Sequence, residues 1–154
     1  MQRKILILLD SPKIRREVAT YSVELARRME ARLQILMLLR WGRSPGKGVG
    51  SQDILAGQET IRNRGDLALK AYVEEIRAAG LEAEGSVRQG DRSSELLKYL
   101  AEHQPFEAVV WGGNEAFLRR RRVPIRGHWL ERIREQLDCT LVVPSLRGKE
   151  TGTG

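Results

Sequence analysis

Residues Lys4–Leu9 read KILILL, with five consecutive apolar side chains and no polar residue among them. A strand with one wet face alternates apolar and polar residues. A strand that stays apolar throughout must be covered on both faces, which is the condition of a parallel sheet sandwiched between helices. A second strand-sized run, Arg32–Leu39 (RLQILMLL), broken only by Gln34 after its first residue pair, follows one helix length later, and Phe106–Trp111 (FEAVVW) and Thr140–Val143 (TLVV) read as further strands. Each run is strand-sized and far short of the ~20 apolar residues that a membrane span needs.

Helical periodicity fills the gaps. Ile14, Val18, Tyr21, Leu25 and Met29 recur every three or four positions and predict a first helix over Ile14–Met29. Asp10-Ser11-Pro12 before it offers an N-cap and a proline for the first helical position. A weaker pattern predicts a second helix from about Asp53 to Ala79, interrupted by Gly57 and Gly65 and closed by Gly80. Its strongest part, Leu67–Ile76, offers Leu67, Leu69, Tyr72, Val73 and Ile76 for burial. Leu81–Arg88 (LEAEGSVR) alternates, as a strand near a sheet edge would, and Gln89-Gly90-Asp91 makes a turn. Ser93 or Ser94 is placed to cap a short helix over Glu95–His103. A last helix is predicted over Leu130–Leu137. Trp41–Gly50 (WGRSPGKGVG) reads as a surface loop, and Ser145–Gly154 as a disordered tail.

The resulting order, β-α-β-loop-α-β-α-β-loop-α-β, predicts an α/β fold: a single-domain five-stranded parallel sheet with helices on both faces and right-handed crossovers. Residues 1–145 form the domain and 146–154 the tail. Ligands of such folds gather at the carboxyl ends of the strands, near the point where the strand order reverses. An apolar fraction of 41% with 31% charged residues suits a globular chain. The first residues, Met1–Lys4, run straight into a strand, so no signal peptide is expected. One cysteine, Cys139, cannot form an internal disulfide and suits a reducing compartment. The expectation is a cytoplasmic domain.

Four stretches stand in order along the chain: Lys4–Asp10, a strand ending in aspartate; Val23–Arg28 followed by Ala31–Leu36; Val87-Arg88-Gln89-Gly90-Asp91 before the third helix; and Leu137–Pro144, a closing strand. Together they resemble the universal stress protein family over nearly the whole chain. The resemblance implies an adenine nucleotide alpha hydrolase-like fold, a regulatory or stress-response role without catalysis, and a homodimer through the last strand. It also implies a nucleotide site, with ATP or AMP as the possible ligand. Asp10 matches the aspartate that contacts the nucleoside in binding members. Those members carry Gly-x2-Gly-x9-Gly-Ser/Thr after strand four, where glycine amides and a helix N-terminus cradle phosphate.

That loop is altered in this chain. Gly112, Gly113 and Asn114 follow strand four, and Gly127-His128 opens the last helix. Counting from Gly112, the next glycine positions fall on Glu115 and Ile125; counting from Gly113, they fall on Ala116 and Arg126. Gly127 comes one or two residues late, and His128 replaces the hydroxyl residue. Between Ala116 and His128 stand five arginines, Arg119, Arg120, Arg121, Arg122 and Arg126, and no acid. They account for most of the net charge of +7. Two readings stay open. The arginines form a solvated basic loop, or they replace glycine amides as forked phosphate donors. Weak or absent nucleotide binding follows from the first.

The remaining candidates are weaker. The basic loop would also suit RNA or an acidic partner, but only eight aromatic residues are present and no stacking array is evident. Gly42–Gly48 lacks the spacing of a P-loop. No Cys/His cluster has metal spacing. Cys139 is expected to be a small buried residue, and His103 an exposed one without a role.

Overall fold

A computed structural model describes residues 3–40, 51–113, 135–137 and 139–144, with the backbone alone at 51–56 and 58. The elements run β1 (Arg3–Leu9), α1 (Arg16–Met29), β2 (Ala31–Leu39), α2 (Ser51–Ala78), β3 (Ala83–Gln89), α3 (Arg92–His103), β4 (Ala108–Trp111) and β5 (Thr140–Val142). They build a five-stranded sheet in the order β3-β2-β1-β4-β5. Every neighbouring pair is parallel. The chain therefore travels outward from β1 to β3, then returns to the other side of β1 for β4. Its reversal point lies between β1 and β4.

Strand alternation divides the apolar runs between two cores. Ile5, Ile7 and Leu9 join Leu33, Ile35, Met37 and Leu39 beneath α1 and α2. Leu6 and Leu8 join Leu36 and Leu38 beneath α3. That is the physical reason for KILILL: every second residue serves a different helical layer, and Ile5 to Leu9 are all fully buried.

On α1 the buried stripe is Val18, Ser22 and Ala26, spaced by four. On α2 it is Leu69, Tyr72, Val73 and Ile76. Leu67, expected in that stripe, is 71% exposed. It stands two residues before Leu69, about 200° around the helix, and so faces away. Gly65, which weakens the sequence pattern, has a packing role. A Cβ there would lie 2.8 Å from Leu39 Cδ1 and 3.2 Å from Met37 Sδ, so the missing side chain lets α2 approach β2 closely. Gly80 ends the segment at φ +91° and donates its N–H to Arg77 O, as the sequence suggests.

Several local boundaries differ from expectation. α1 begins at Arg16 rather than Ile14, with Arg15 as N-cap and no side-chain cap. Asp10-Ser11-Pro12 forms no cap; Ser11 Oγ accepts from Lys13 N at 3.3 Å, a local turn that delays the helix. α3 begins at Arg92 and is capped by Asp91, not by Ser93 or Ser94. The Asp91 carboxylate accepts from both the N–H and the hydroxyl of Ser94, at 3.0 and 2.8 Å. Cys139 is half-buried, as are Leu141 and Val142 of β5. Of the helix expected over Leu130–Leu137, residues 135–137 are not helical, and the rest lies outside the described residues. The Trp41–Gly50 loop and the tail also lie outside them.

His103 is half-buried rather than exposed. Its ring stacks on Tyr99 at 4.0 Å, and Phe106 extends the column at 6.3 Å from Tyr99. Lys4 lies over the Phe106 ring and donates to His103 O. Tyr99 is buried and donates its hydroxyl to Gln34 Oε1 at 3.1 Å. Burial is the main force raising its pKa, helped by Glu84 and Glu102 and opposed by Arg88 and Arg32; the phenol is pushed up to about 12. Unfolded tyrosine ionises near pH 10, so between about pH 10 and 12 the unfolded chain holds fewer protons and gains on the native state. Folding stability is expected to fall across that window in urea titrations, and Tyr99→Phe should make the fall shallower. An identical slope in the variant would remove Tyr99 from the account.

Candidate functional site

Strand register brings the candidate residues to one place. Leu8 pairs with Trp111 across β1 and β4, so Asp10 and Gly113 each stand two positions beyond the same pair, at the carboxyl end of the sheet. This is the reversal point, where adjacent chains diverge and leave a crevice. Of the predicted site residues, the structure thus brings together Asp10, Gly112 and Gly113. Asn114, Arg119, Arg120, Arg121, Arg122, Arg126, Gly127 and His128 lie outside the described residues, as does Glu115.

Both glycines are committed to packing. The Gly112 amide donates to Leu8 O at 2.8 Å, extending the β1–β4 ladder by one bond. A Cβ on Gly112 would stand 2.7 Å from Leu9 Cδ2 and 2.9 Å from Val18 Cγ1, so β1, β4 and the first turn of α1 converge on it. A Cβ on Gly113 would stand 2.1 Å from Trp111 Cζ2. The backbone of Gly113 is folded directly over the buried indole.

Asp10 is half-buried and acts through its main chain: its carbonyl accepts from Arg92 Nη2 at 3.1 Å. Arg92 is the first residue of α3, so this bond ties the α3 layer to the loop after β1. Burial lowers the Arg92 pKa from the ordinary arginine range; Asp10 opposes the shift and Arg40 adds to it. Its Nε is covered and has no hydrogen-bond partner among the described residues. The crevice is therefore bordered by positive charge even without the basic loop. Arg40, Arg92 and Arg15 were not picked out by the sequence pattern. The one available signal was Lys13-Ile14-Arg15-Arg16 at the start of a helix, where cations oppose the dipole.

Among the described residues no group of three metal-ligating side chains occurs, and no helix is long and apolar enough to cross a membrane.

No protein-family model matches the chain, and no curated protein matches it in sequence. Solved structures do match in shape. The universal stress protein UspA from Lactobacillus plantarum superposes with a TM-score of 0.69 at 15% identity, covering 92% of this chain and 97% of its own. A universal stress protein family member from Arabidopsis thaliana with AMP bound gives 0.61 at 14%, covering 97% and 95%. The universal stress protein from Archaeoglobus fulgidus in complex with dAMP gives 0.55 at 17%, covering 93% and 98%.

The fold is that of the universal stress proteins.

Within this universal-stress fold, the likeness runs over nearly the whole of this chain and of each neighbour. Gly113→Ala is expected to destabilise the protein by about 1–3 kcal/mol, since the added carbon overlaps an indole that is itself fully buried. Thermal unfolding together with tryptophan emission checks this. A wild-type melting temperature and spectrum would show that Trp111 yields without cost.

Proposed function

We propose that the chain is a non-enzymatic, universal-stress-type regulatory domain that binds adenine nucleotide weakly or not at all. The observation that carries this reading is the Gly112 amide. It is spent on Leu8 O, whereas a phosphate cradle needs free amides at this turn. The sequence supports the same reading, because Glu115 puts a carboxylate at the position where a second glycine would be needed. Two neighbours of this fold have AMP and dAMP bound. Their ligands make adenine nucleotide the compound to test, with Asp10 on the nucleoside side. Asn114, Gly127 and His128 would stand toward the phosphates.

A second reading has Arg119–Arg122 and Arg126 replace the glycine amides as phosphate donors. Calorimetry with ATP is expected to give no affinity tighter than about 0.1 mM, and no phosphate release on prolonged incubation. A low-micromolar dissociation constant would overturn the primary reading. Alanine at all of Arg119–Arg122 would then decide the second, which requires that affinity to fall.

The assembly reading concerns β5, which has β4 on one side and no strand on the other among the described residues. Leu141 and Val142 are half-buried, and no lysine, proline or inward charge interrupts Thr140–Val142. Antiparallel pairing of this strand with its copy would satisfy the unpaired backbone groups and close as a two-fold dimer. Light scattering at micromolar concentration is expected to give the mass of a dimer, about twice 17.5 kDa. A monomer mass would defeat this reading.

A further inference from the structure

The least satisfied charge among the described residues is Arg15. All three nitrogens of its guanidinium are covered from solvent, and none has a hydrogen-bond partner among the described residues. No carboxylate there pairs with it either; the ion pairs are Arg62–Asp66, Arg88–Glu102 and Lys98–Glu95. An uncompensated, covered cation is costly, and the cost is relieved when an anion arrives with acceptors for its forked donors.

Arg15 is also the N-cap of α1. Its backbone is extended, at φ −78° and ψ 139°, and no side chain caps the first turn. The opening N–H groups of the helix therefore lack a side-chain acceptor, and the helix dipole places partial positive charge beside them. Three residues on, Val18 lies against Gly112, with its Cγ1 2.9 Å from where a Cβ would be. The start of α1 thus abuts the end of β4, at the mouth of the β1–β4 crevice. A covered guanidinium without a partner, an uncapped helix start and a position at the reversal point are separate observations that ask for the same thing.

We propose that Arg15 and the first turn of α1 seat a phosphate-class oxyanion. A tetrahedral dianion offers enough oxygens to accept from the guanidinium fork and from helix amides together, which a halide or a single carboxylate does not. The seat is distinct from the loop after Gly113. It goes beyond the functional reading above, since it takes the anion whether or not an adenine base comes with it. The oxyanion comes either from free phosphate or from the phosphate of a nucleotide.

The test compares wild type with Arg15→Gln in thermal unfolding, in 10 mM sodium phosphate and in sodium chloride of equal ionic strength. In chloride, Arg15→Gln is expected to melt about 2–4 °C higher, because it removes an unpaired charge. In phosphate, wild type should gain about 4 °C more than the variant does. A variant that melts lower in chloride, or that gains as much from phosphate as wild type, overturns the proposal. Should Arg15→Gln fail to fold, amide resonances of Arg16, Glu17 and Val18 in the wild-type protein decide. Shifts with phosphate or AMP but not with adenosine support the seat and name its source. No shift with either anion, or equal shifts with adenosine, overturns it. Low-micromolar ATP affinity would sink the functional reading alone; its loss in Arg15→Gln would support the seat, and equal gains from phosphate in wild type and variant would sink the seat alone.

Discussion

The structure depends on β1 being solvent-free on both faces. Ile5 through Leu9 expose nothing, and their side chains alternate between the α1–α2 core and the α3 core. A strand in this position cannot slip by one residue without exchanging the two sets of side chains. Register with β2 and β4 is fixed in consequence, and the carboxyl ends of β1 and β4 are held side by side. Asp10, Gly112 and Gly113 meet because β1 has no alternative placement.

The fold was legible because its signals are local and periodic. KILILL and RLQILMLL announce two-sided burial, and LEAEGSVR announces a strand with a wet face; the structure sets the last of these at the β3 edge. The misplacements came where a nearby polar contact outcompeted the expected one. Asp10 looked like a cap, but the turn held by Ser11 moved the helix start to Arg16. Ser94 looked like a cap, but it donates to Asp91 instead of accepting for the helix. Leu67 shares the stretch of the buried residues and not their angular position.

The site was less legible, because its defining contacts join residues far apart in sequence. Arg92 reaches Asp10 across 82 positions, and Val18 meets Gly112 across the sheet. Composition reports the basic excess without saying where it lies in space. The glycines illustrate the same point. From sequence, Gly112 and Gly113 suggest a cradle for phosphate. In the structure, one is required by the convergence of Leu9 and Val18, and the other by the face of Trp111.

Close packing and ligand binding compete for the same turn. At Gly112 the amide is already bonded to the neighbouring strand, and at Gly113 the backbone is pressed onto an indole. A chain that uses its glycines in this way must find positive charge elsewhere if the crevice is to hold an anion. Arg92, bonded to Asp10 O, brings a side-chain cation to it, and the seat proposed at Arg15 would add a second; neither needs a free backbone amide. Side-chain donors are also less constrained than a backbone cradle, since a guanidinium can present its fork to phosphates of different attachment. The same fold would then keep its anion-binding end while relaxing its hold on the rest of the ligand.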